Sequence, residues 1–452
     1  MSFLGTLRTI RGERCERAAP LALILLIVGC ASADPGQPEN RDVLLRRAIA
    51  EAGVIPLAPV ARASDALDRL GQALFFDKIL SGNRDIGCST CHNPAYHTSD
   101  QLTLSIGTGG QLPGGSRQIG TGRFTARNAL DLFDRGQPGW RSLTWDGRVE
   151  VMPSGLVTPL GASLPPGVAT PLAAQALLPL AARIEMRGTG TNELATLPDT
   201  AVTAIYAGIV ARLRAIPGYD TLFAAAYPGL PAESIAIAHV VNALAAFISD
   251  RWGTGGTPFD RYLGGDSLAL GEAERRGAEL FFGRARCAQC HDGPLLTDQQ
   301  FHNTGIPVLG PGLLTGGPDI GRGAITGNPS EDFLFRTPPL RNAALTPPFM
   351  HNGSFATLED VVRHYRNVAQ SLATFDPSTV DPRLRPTLDL SAATVHRIQA
   401  TIDPRLTVGI VLSDQDVSDL VAFLNALIDP ASTVLLNDIP GSVPSGLDVH
   451  DF

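Results

Sequence analysis

A mainly α-helical protein made of two copies of one unit is predicted by three features of the sequence. Cys88-Ser89-Thr90-Cys91-His92 recurs as Cys287-Ala288-Gln289-Cys290-His291. Each copy follows an apolar-periodic stretch with one spacing, Gly71-x-x-Leu74-Phe75-Phe76 and Gly277-x-x-Leu280-Phe281-Phe282. Each is also followed, much later, by a second shared stretch, Leu244-Ala245-Ala246-Phe247 and Leu420-Val421-Ala422-Phe423. The repeat is far too long for a solenoid, so the unit is a domain related to its twin by internal duplication.

The chemistry of the repeated motif names the unit. In C-x-x-C-H, two thiols can add across the vinyl groups of one haem, and the adjacent histidine is placed to bind the iron from one face. A zinc site would need both C-x-x-C pairs to converge on one ion and would leave each His idle. A redox dithiol needs no trailing His. Two covalent haem c groups in two cytochrome c-like domains are therefore the expectation, with His92 and His291 as iron ligands and Cys88, Cys91, Cys287 and Cys290 as attachment points.

The 452 residues suffice for two or three domains. The 47 Gly and 35 Pro point to long ordered loops between the helices. Arg8, Arg11, Arg14 and Arg17 precede an apolar run, Leu21 to Val28, too short for a permanent membrane span. Ile27-Val28-Gly29-Cys30 resembles a bacterial lipobox, making residues 1–29 a signal peptide and Cys30 an acylated first residue. A plain secretory signal cut near Ala31-Ser32-Ala33 is the alternative. Either reading places the protein outside the cytoplasmic membrane; the lipobox makes it periplasmic and lipid-anchored through Cys30. Cys15 lies in the discarded segment, so no pair remains for a structural disulfide. Losing residues 1–29 removes four Arg and two Glu and moves the formal charge from −8 to −10. An acidic body argues against nucleic acid and suits a basic or amphipathic electron donor. Residues 30–60, with Pro35, Pro38, Pro56 and Pro59, read as a tether.

The first haem domain is expected over residues 61–250. Ser64 to Phe76 has helical spacing behind a Ser N-cap and leads into the first motif. The Pro/Gly-rich segment Val151 to Val168 reads as loop, and Ile235 to Ile248, with Trp252 beyond, as the closing helix. The second domain, residues 251–440, restarts with a helix from Gly271 to Phe282. It runs through a Gly/Pro-rich loop from Gly305 to Asp332 and closes on a helix capped by Ser413-x-x-Asp416. Residues 441–452 read as a tail.

Leu70-Gly71-x-x-Leu74-Phe75-Phe76-Asp77-x-x-Leu80-Ser81 before Cys88 resembles the bacterial di-haem cytochrome c peroxidase family, which includes the MauG-type enzymes, and the likeness runs from about residue 64 to residue 428. Many of these peroxidases carry, where Thr108 stands, a His that caps the first haem and must leave before peroxide enters. Thr is a poor iron ligand, so the resemblance implies a first haem open at rest, with His97 a surface residue. Trp145-Asp146-Gly147-Arg148 matches the family's W-D-G-R signature. It implies that Trp145 relays electrons between the haems, where ordinary packing is the bland reading. Gln175, Pro179 and Glu185 match the family's distal pocket. A carboxylate near the iron can carry a proton from the bound oxygen to the leaving oxygen. An amide can position the peroxide, and a Pro keeps a protein ligand off the iron. Met186 is assigned to packing.

In the second domain Thr337-Pro338-Pro339-Leu340-Arg341-Asn342 and Pro348-Phe349-Met350-His351-Asn352-Gly353 match further family segments. By resemblance, Asn128 and the carbonyls of Thr337 and Pro339 hold one Ca2+ between the domains. Tyr365 stands where cytochrome c peroxidases proper place a Met and MauG-type enzymes a Tyr, and is the expected distal ligand of the second haem. A phenolate lowers the iron's potential, whereas a thioether raises it. His364 and Met350 are alternatives.

The expected function is reduction of hydrogen peroxide at the N-terminal haem, with electrons from a small cytochrome c or cupredoxin arriving through the C-terminal haem. A MauG-type enzyme oxidising a residue of a partner protein is the alternative on the same scaffold. A non-catalytic membrane-tethered carrier, requiring both irons closed, is a third. A homodimer is one assembly open to it.

Overall fold

The computed structural model describes residues 40–313 and 317–451. The expected signal segment and Cys30 lie outside the described residues. From Asp42 onward the chain forms one compact unit, and every contact below belongs to it.

Two helix pairs carry the architecture. Helix α1 spans Arg41–Glu51 and α2 Asp65–Phe76; Ser64 Oγ accepts from the Leu67 N–H at 3.2 Å and sets where α2 begins. α3 is the single turn Cys88–Cys91, α4 is Pro171–Ala181, α5 Val202–Arg214, α6 Pro217–Ala226 and α7 Ile237–Arg251. In the second half α8 is Pro258–Leu263, α9 Glu272–Phe282, α10 Gly323–Thr326, α11 Leu358–His364, α12 Val368–Ala373, α13 Ala392–Ala400 and α14 Asp414–Asn425. α2 packs on α7, and α9 on α14, with the same device. A Cβ added at Gly71 would lie 2.1 Å from the Ala243 carbonyl oxygen, and one at Gly277 would lie 1.9 Å from that of Asp419. Only glycine permits such close approach. Phe247 then meets Phe75 at 5.5 Å, as Phe423 meets Phe281 at 5.1 Å. α14 starts on the capping box read from sequence, with Ser413 and Asp416 bonded reciprocally.

Strands among the described residues are two antiparallel pairs, β1 (Glu150–Met152) with β2 (Gly155–Val157) and β3 (Phe301–His302) with β4 (Phe335–Arg336). The first lies in the stretch read as loop: Gly155, at φ 113°, lets the chain reverse there. The second aligns His302 with Phe335 across the ladder. α10 interrupts the long loop expected from Gly305 to Asp332.

Both chain ends depart from the sequence reading. Residues 30–60 are not a tether throughout: α1 buries Leu45 and Ile49 in the second core, beside Phe259 and Tyr262. Its two buried positions, four apart, stand among five charged residues, so the amphipathic signal is weak. Nor are residues 441–452 a loose tail. Val443 and Val449 enter the first core, Ser445 Oγ donates to buried Asp77 at 2.6 Å, and Asp451 accepts from Thr90 Oγ1 at 2.6 Å. The N-terminal segment thus completes the second core and the C-terminal one completes the first.

Candidate functional site

The first motif forms α3, and the His92 ring donates from Nδ1 to the Thr98 carbonyl at 3.3 Å. Burial holds this imidazole neutral. With Nδ1 committed, the free lone pair is on Nε2, as an iron ligand requires. Cys88, Cys91 and His92 line one cavity. Gln175, Pro179 and Glu185 line the same cavity, so the three residues implied by the family resemblance are brought together with the motif. Gln175 and Pro179, four apart on α4, share a face. Glu185 sits on the wide turn Arg183–Arg187, where Arg187 N–H reaches back five residues to the Ala182 carbonyl at 3.0 Å. Such π-type turns re-aim side chains and recur at functional sites. Among the described residues, neither the Glu185 carboxylate nor the Gln175 amide has a protein hydrogen bond. Burial raises the Glu185 pKa, and nearby Arg148 opposes the rise.

Neither Thr108 nor His97 is part of this cavity wall. Thr108 is held in a polar cluster with Asp85 and Asn83. His97 is half-buried rather than a surface residue, with Nδ1 3.0 Å from the Ser432 carbonyl. Met186 is buried in the first core.

The second motif repeats the arrangement. His291 donates from Nδ1 to the Leu296 carbonyl at 3.0 Å, and burial keeps it neutral. Cys287, Cys290 and His291 line a second cavity, shared with Tyr365 and Met350. Tyr365 caps the end of α11 beside Thr304, and burial raises its phenol pKa. His364 is not available as a ligand: Nδ1 lies 2.8 Å from Ser371 Oγ and Nε2 2.7 Å from the Thr304 carbonyl.

The C-x-x-C pairs line separate cavities, so they do not converge on one zinc ion. Burial pushes the Cys88 and Cys287 thiols up to about 12 and Cys290 up to about 11, so none is poised as a thiolate. Two cavities, each lined by a cysteine pair and a neutral imidazole, offer the donor set that two haem c groups need. Cys290, Asp298 and His302 also stand at metal-ligand spacing, but both His302 nitrogens face carboxylates, Asp403 at 2.8 Å and Asp298 at 2.9 Å.

Trp145 and Asn128 line both cavities. Trp145 Nε1 donates to the Asn128 carbonyl at 3.2 Å, and Asn128 N–H donates to the His351 carbonyl at 2.9 Å. His351 stacks on Phe335, centroids 3.5 Å apart, and presents its edge to Trp145 at 6.4 Å. For Ca2+, Asn128 turns its amide N–H toward the Leu102 carbonyl at 3.0 Å, leaving Oδ1 without a donor among the described residues. The Thr337 carbonyl is less free, accepting from Thr297 Oγ1 at 2.6 Å and from Arg336 at 2.8 Å.

Sequence reasoning missed Arg148 as the cation near Glu185, His351 beside the indole, and Arg336. The fully buried Arg336 guanidinium donates to the carbonyls of Leu143, Thr144 and Thr337, and burial with Arg135 nearby pulls its pKa down to about 9. Arg148 was visible only as the last letter of W-D-G-R. Arg336 stands just before the segment that starts at Thr337, and His351 stands inside the segment Pro348 to Gly353 with no role of its own read from sequence.

Several known proteins resemble this chain. A model described as di-haem cytochrome c peroxidase matches residues 65–268. The methylamine utilization protein MauG of Methylorubrum extorquens is 31% identical over 375 residues, covering 82% of this chain and 80% of that protein. A cytochrome-c peroxidase of a Pseudomonas species is 29% identical, covering 93% and 95% respectively. Among solved structures, a MauG-like protein associated with microbial copper homeostasis superposes with a TM-score of 0.59 at 33% identity, covering 84% of this chain and 94% of that one. The diheme peroxidase BthA from Burkholderia thailandensis, at 22% identity and a TM-score of 0.55, shares the fold.

Proposed function

The chain belongs to the di-haem cytochrome c peroxidase family and is an oxidoreductase of that family, and from that premise we propose which residues do what. His92 would hold the iron of the first haem, attached at Cys88 and Cys91. His291 and Tyr365 would hold the second, attached at Cys287 and Cys290. Bound there, the two groups supply the redox chemistry, taking up the two oxidising equivalents of hydrogen peroxide and returning them to a reductant.

The protein's own residues divide the work. Gln175 orients peroxide through its amide, and Pro179 offers no N–H or side-chain donor that would occupy the iron. Glu185 accepts a proton from one peroxide oxygen and delivers it to the other as the O–O bond breaks; two protons and two electrons then complete two waters. Trp145, pinned between the cavities, passes charge between the two sites. The observation that carries this reading is the asymmetry of the cavities. Among the described residues, Glu185 and Gln175 line the first without a protein partner and no histidine but His92 lines it, whereas the second includes a phenol at the end of α11.

That asymmetry also favours the MauG-type reading, oxidation of a residue on a partner protein. Thr108 cannot cap the first iron, and Tyr365 replaces a thioether with a ligand suited to higher oxidation states. A carrier with both irons closed is the weaker reading for the same reason. The matched pairs α2 with α7 and α9 with α14 support internal duplication of a cytochrome c-like unit. Residues 61–250 and 251–440 are its two domains. The free Asn128 Oδ1 supports a Ca2+ with Pro339, and Thr337 would join only by sharing its carbonyl. The donor would be a small basic cytochrome c or cupredoxin, reaching a periplasmic enzyme lipid-anchored through Cys30, with a homodimer open to test.

Resting absorption and EPR spectra of the holoenzyme, with peroxide turnover using ferrocyanide as reductant, test the proposal. One high-spin and one low-spin haem, and turnover lost in Glu185→Gln, are expected. Two low-spin haems with no turnover would overturn it in favour of the carrier.

A further inference from the structure

The turn that carries Glu185 is gripped by two loops, 81–85 and 107–109, of which only Gly107 lines the first cavity. On one side Gly82 N–H donates to the Met186 carbonyl at 2.7 Å, and a Cβ at Gly82 would lie 1.8 Å from the Arg187 carbonyl oxygen. On the other, Thr108 N–H donates to the Glu185 carbonyl at 2.8 Å, and a Cβ at Gly107 would lie 1.9 Å from the Ile184 carbonyl oxygen. Four consecutive backbone carbonyls, from Ile184 to Arg187, are therefore set by two loops that approach them as closely as backbone can.

The two loops are tied to each other by one carboxylate. Asp85 Oδ1 accepts from Thr108 Oγ1 at 2.6 Å, and Asp85 Oδ2 accepts from Gly109 N–H at 2.6 Å. Asn83 Nδ2 donates to Thr108 Oγ1 at 2.9 Å, and Asn192 Nδ2 donates to Asn83 Oδ1 at 2.8 Å. The Thr108 hydroxyl thus both donates and accepts, which fixes its rotamer in a buried setting where each lost bond is costly. Charge-assisted bonds to the carboxylate are the strong members of this set. The gripped turn needs such support, because its hydrogen bonds span five residues rather than four and are weak on their own.

Accordingly, we propose that Asp85 and Thr108 are positioning residues for Glu185: their bridge clamps the 81–85 and 107–109 loops onto the turn and holds the carboxylate at its station in the first cavity. Neither residue touches peroxide or haem. The inference rests on the proposed acid–base role of Glu185 and adds to it a reason why the station is fixed without any ligand on the iron. Thr108 is then not merely a residue too weak to cap the metal. Its hydroxyl is the keystone of a lock on the proton-transfer group.

The holoenzyme tests this with hydrogen peroxide and ferrocyanide. Thr108→Val removes the hydroxyl at nearly constant shape, Thr108→Ser restores it, and Asp85→Ala removes the bridge. Thr108→Val and Asp85→Ala are expected to lower kcat roughly ten- to a hundredfold, as loss of positioning does, with little change in KM. Thr108→Ser should recover most of the rate. Amide hydrogen exchange should quicken in residues 183–188 of both defective variants, while the spin state of each haem stays as in the parent. In a Glu185→Gln background Thr108→Val should cost almost nothing more, because the group it positions is gone. A full additional loss there, or parental kcat in both Thr108→Val and Asp85→Ala, overturns the clamp. If Glu185→Gln itself turns over like the parent, the acid–base reading fails first. Should Asp85→Ala not fold, the Thr108 pair with its Ser rescue still decides.

Discussion

Trp145 Nε1 lies 3.2 Å from the Asn128 carbonyl oxygen, and both residues form walls of both cavities. The indole therefore has one orientation, set by a backbone acceptor, in the wall the two cavities share. Replacing Trp145 by Phe keeps an aromatic ring but removes the N–H and the more easily oxidised indole. Haem content and the fold should be unchanged. Peroxide-driven oxidation of ferrocyanide should slow by at least about tenfold, a barrier change of ~1.4 kcal/mol. Stopped-flow spectroscopy separates this from a slower first encounter with peroxide, which should not change.

Glu185 gives the sharpest chemical prediction. General acid–base groups contribute about 10²–10⁴-fold, so Glu185→Gln should lower kcat by that factor while the haem spectra stay the same. Burial raises the pKa of this carboxyl, with Arg148 opposing. The proton-accepting form is the carboxylate, so the rate should climb as pH rises through that raised value and level off above it. The Gln variant should lose this limb. Arg148→Ala removes the opposing cation, so the limb should move to still higher pH in a steady-state pH profile.

At the second haem, His364 is excluded by its two hydrogen bonds, which leaves Tyr365 and Met350 on the cavity wall. Tyr365→Phe should convert the second haem from low spin to high spin, read by EPR, with haem content and melting temperature near the parent's. Met350→Leu should leave the spectrum unchanged. The reverse outcome would move the ligand to Met350.

The residues that hold haem were legible because the chemistry needs them contiguous: Cys88 to His92 and Cys287 to His291 are local in sequence. The helices before them were legible from periodicity and from caps such as Ser64 and Ser413, which act within three residues. Glu185 was legible only because it matches, together with Gln175 and Pro179, the distal pocket of the family the chain resembles. What escaped was long-range. Asp85 meets Thr108 and Gly109 through a loop crossing, with no periodicity to announce it. α1 hides two buried positions among five charged ones. The final residues look like a tail until Asp77, 0% exposed, is seen to need Ser445 as a partner. His302 likewise meets Asp403 across 101 residues of sequence.

The helix pairs invite a stability test that does not depend on haem chemistry. Gly277 faces backbone: an added Cβ would stand 1.9 Å from the Asp419 carbonyl oxygen, 2.6 Å from its carbon and 2.7 Å from Phe423 Cβ. None of these is the flexible end of a side chain, so α9 and α14 must move apart. Alanine gains about 1 kcal/mol over glycine in helix propensity. Overpacking a well-filled interface costs about 1–3 kcal/mol, and here the clash is with main chain, so the upper end applies and the net effect is destabilising. Gly71→Ala, facing the Ala243 carbonyl at 2.1 Å, should behave alike on the first pair. Gly253→Ala, whose Cβ would meet nothing within 4 Å, is the control. Thermal unfolding followed by circular dichroism should place both helix variants several degrees below the parent and the control within error of it. Equal melting of Gly277→Ala and Gly253→Ala would mean that α9 and α14 do not touch at this glycine.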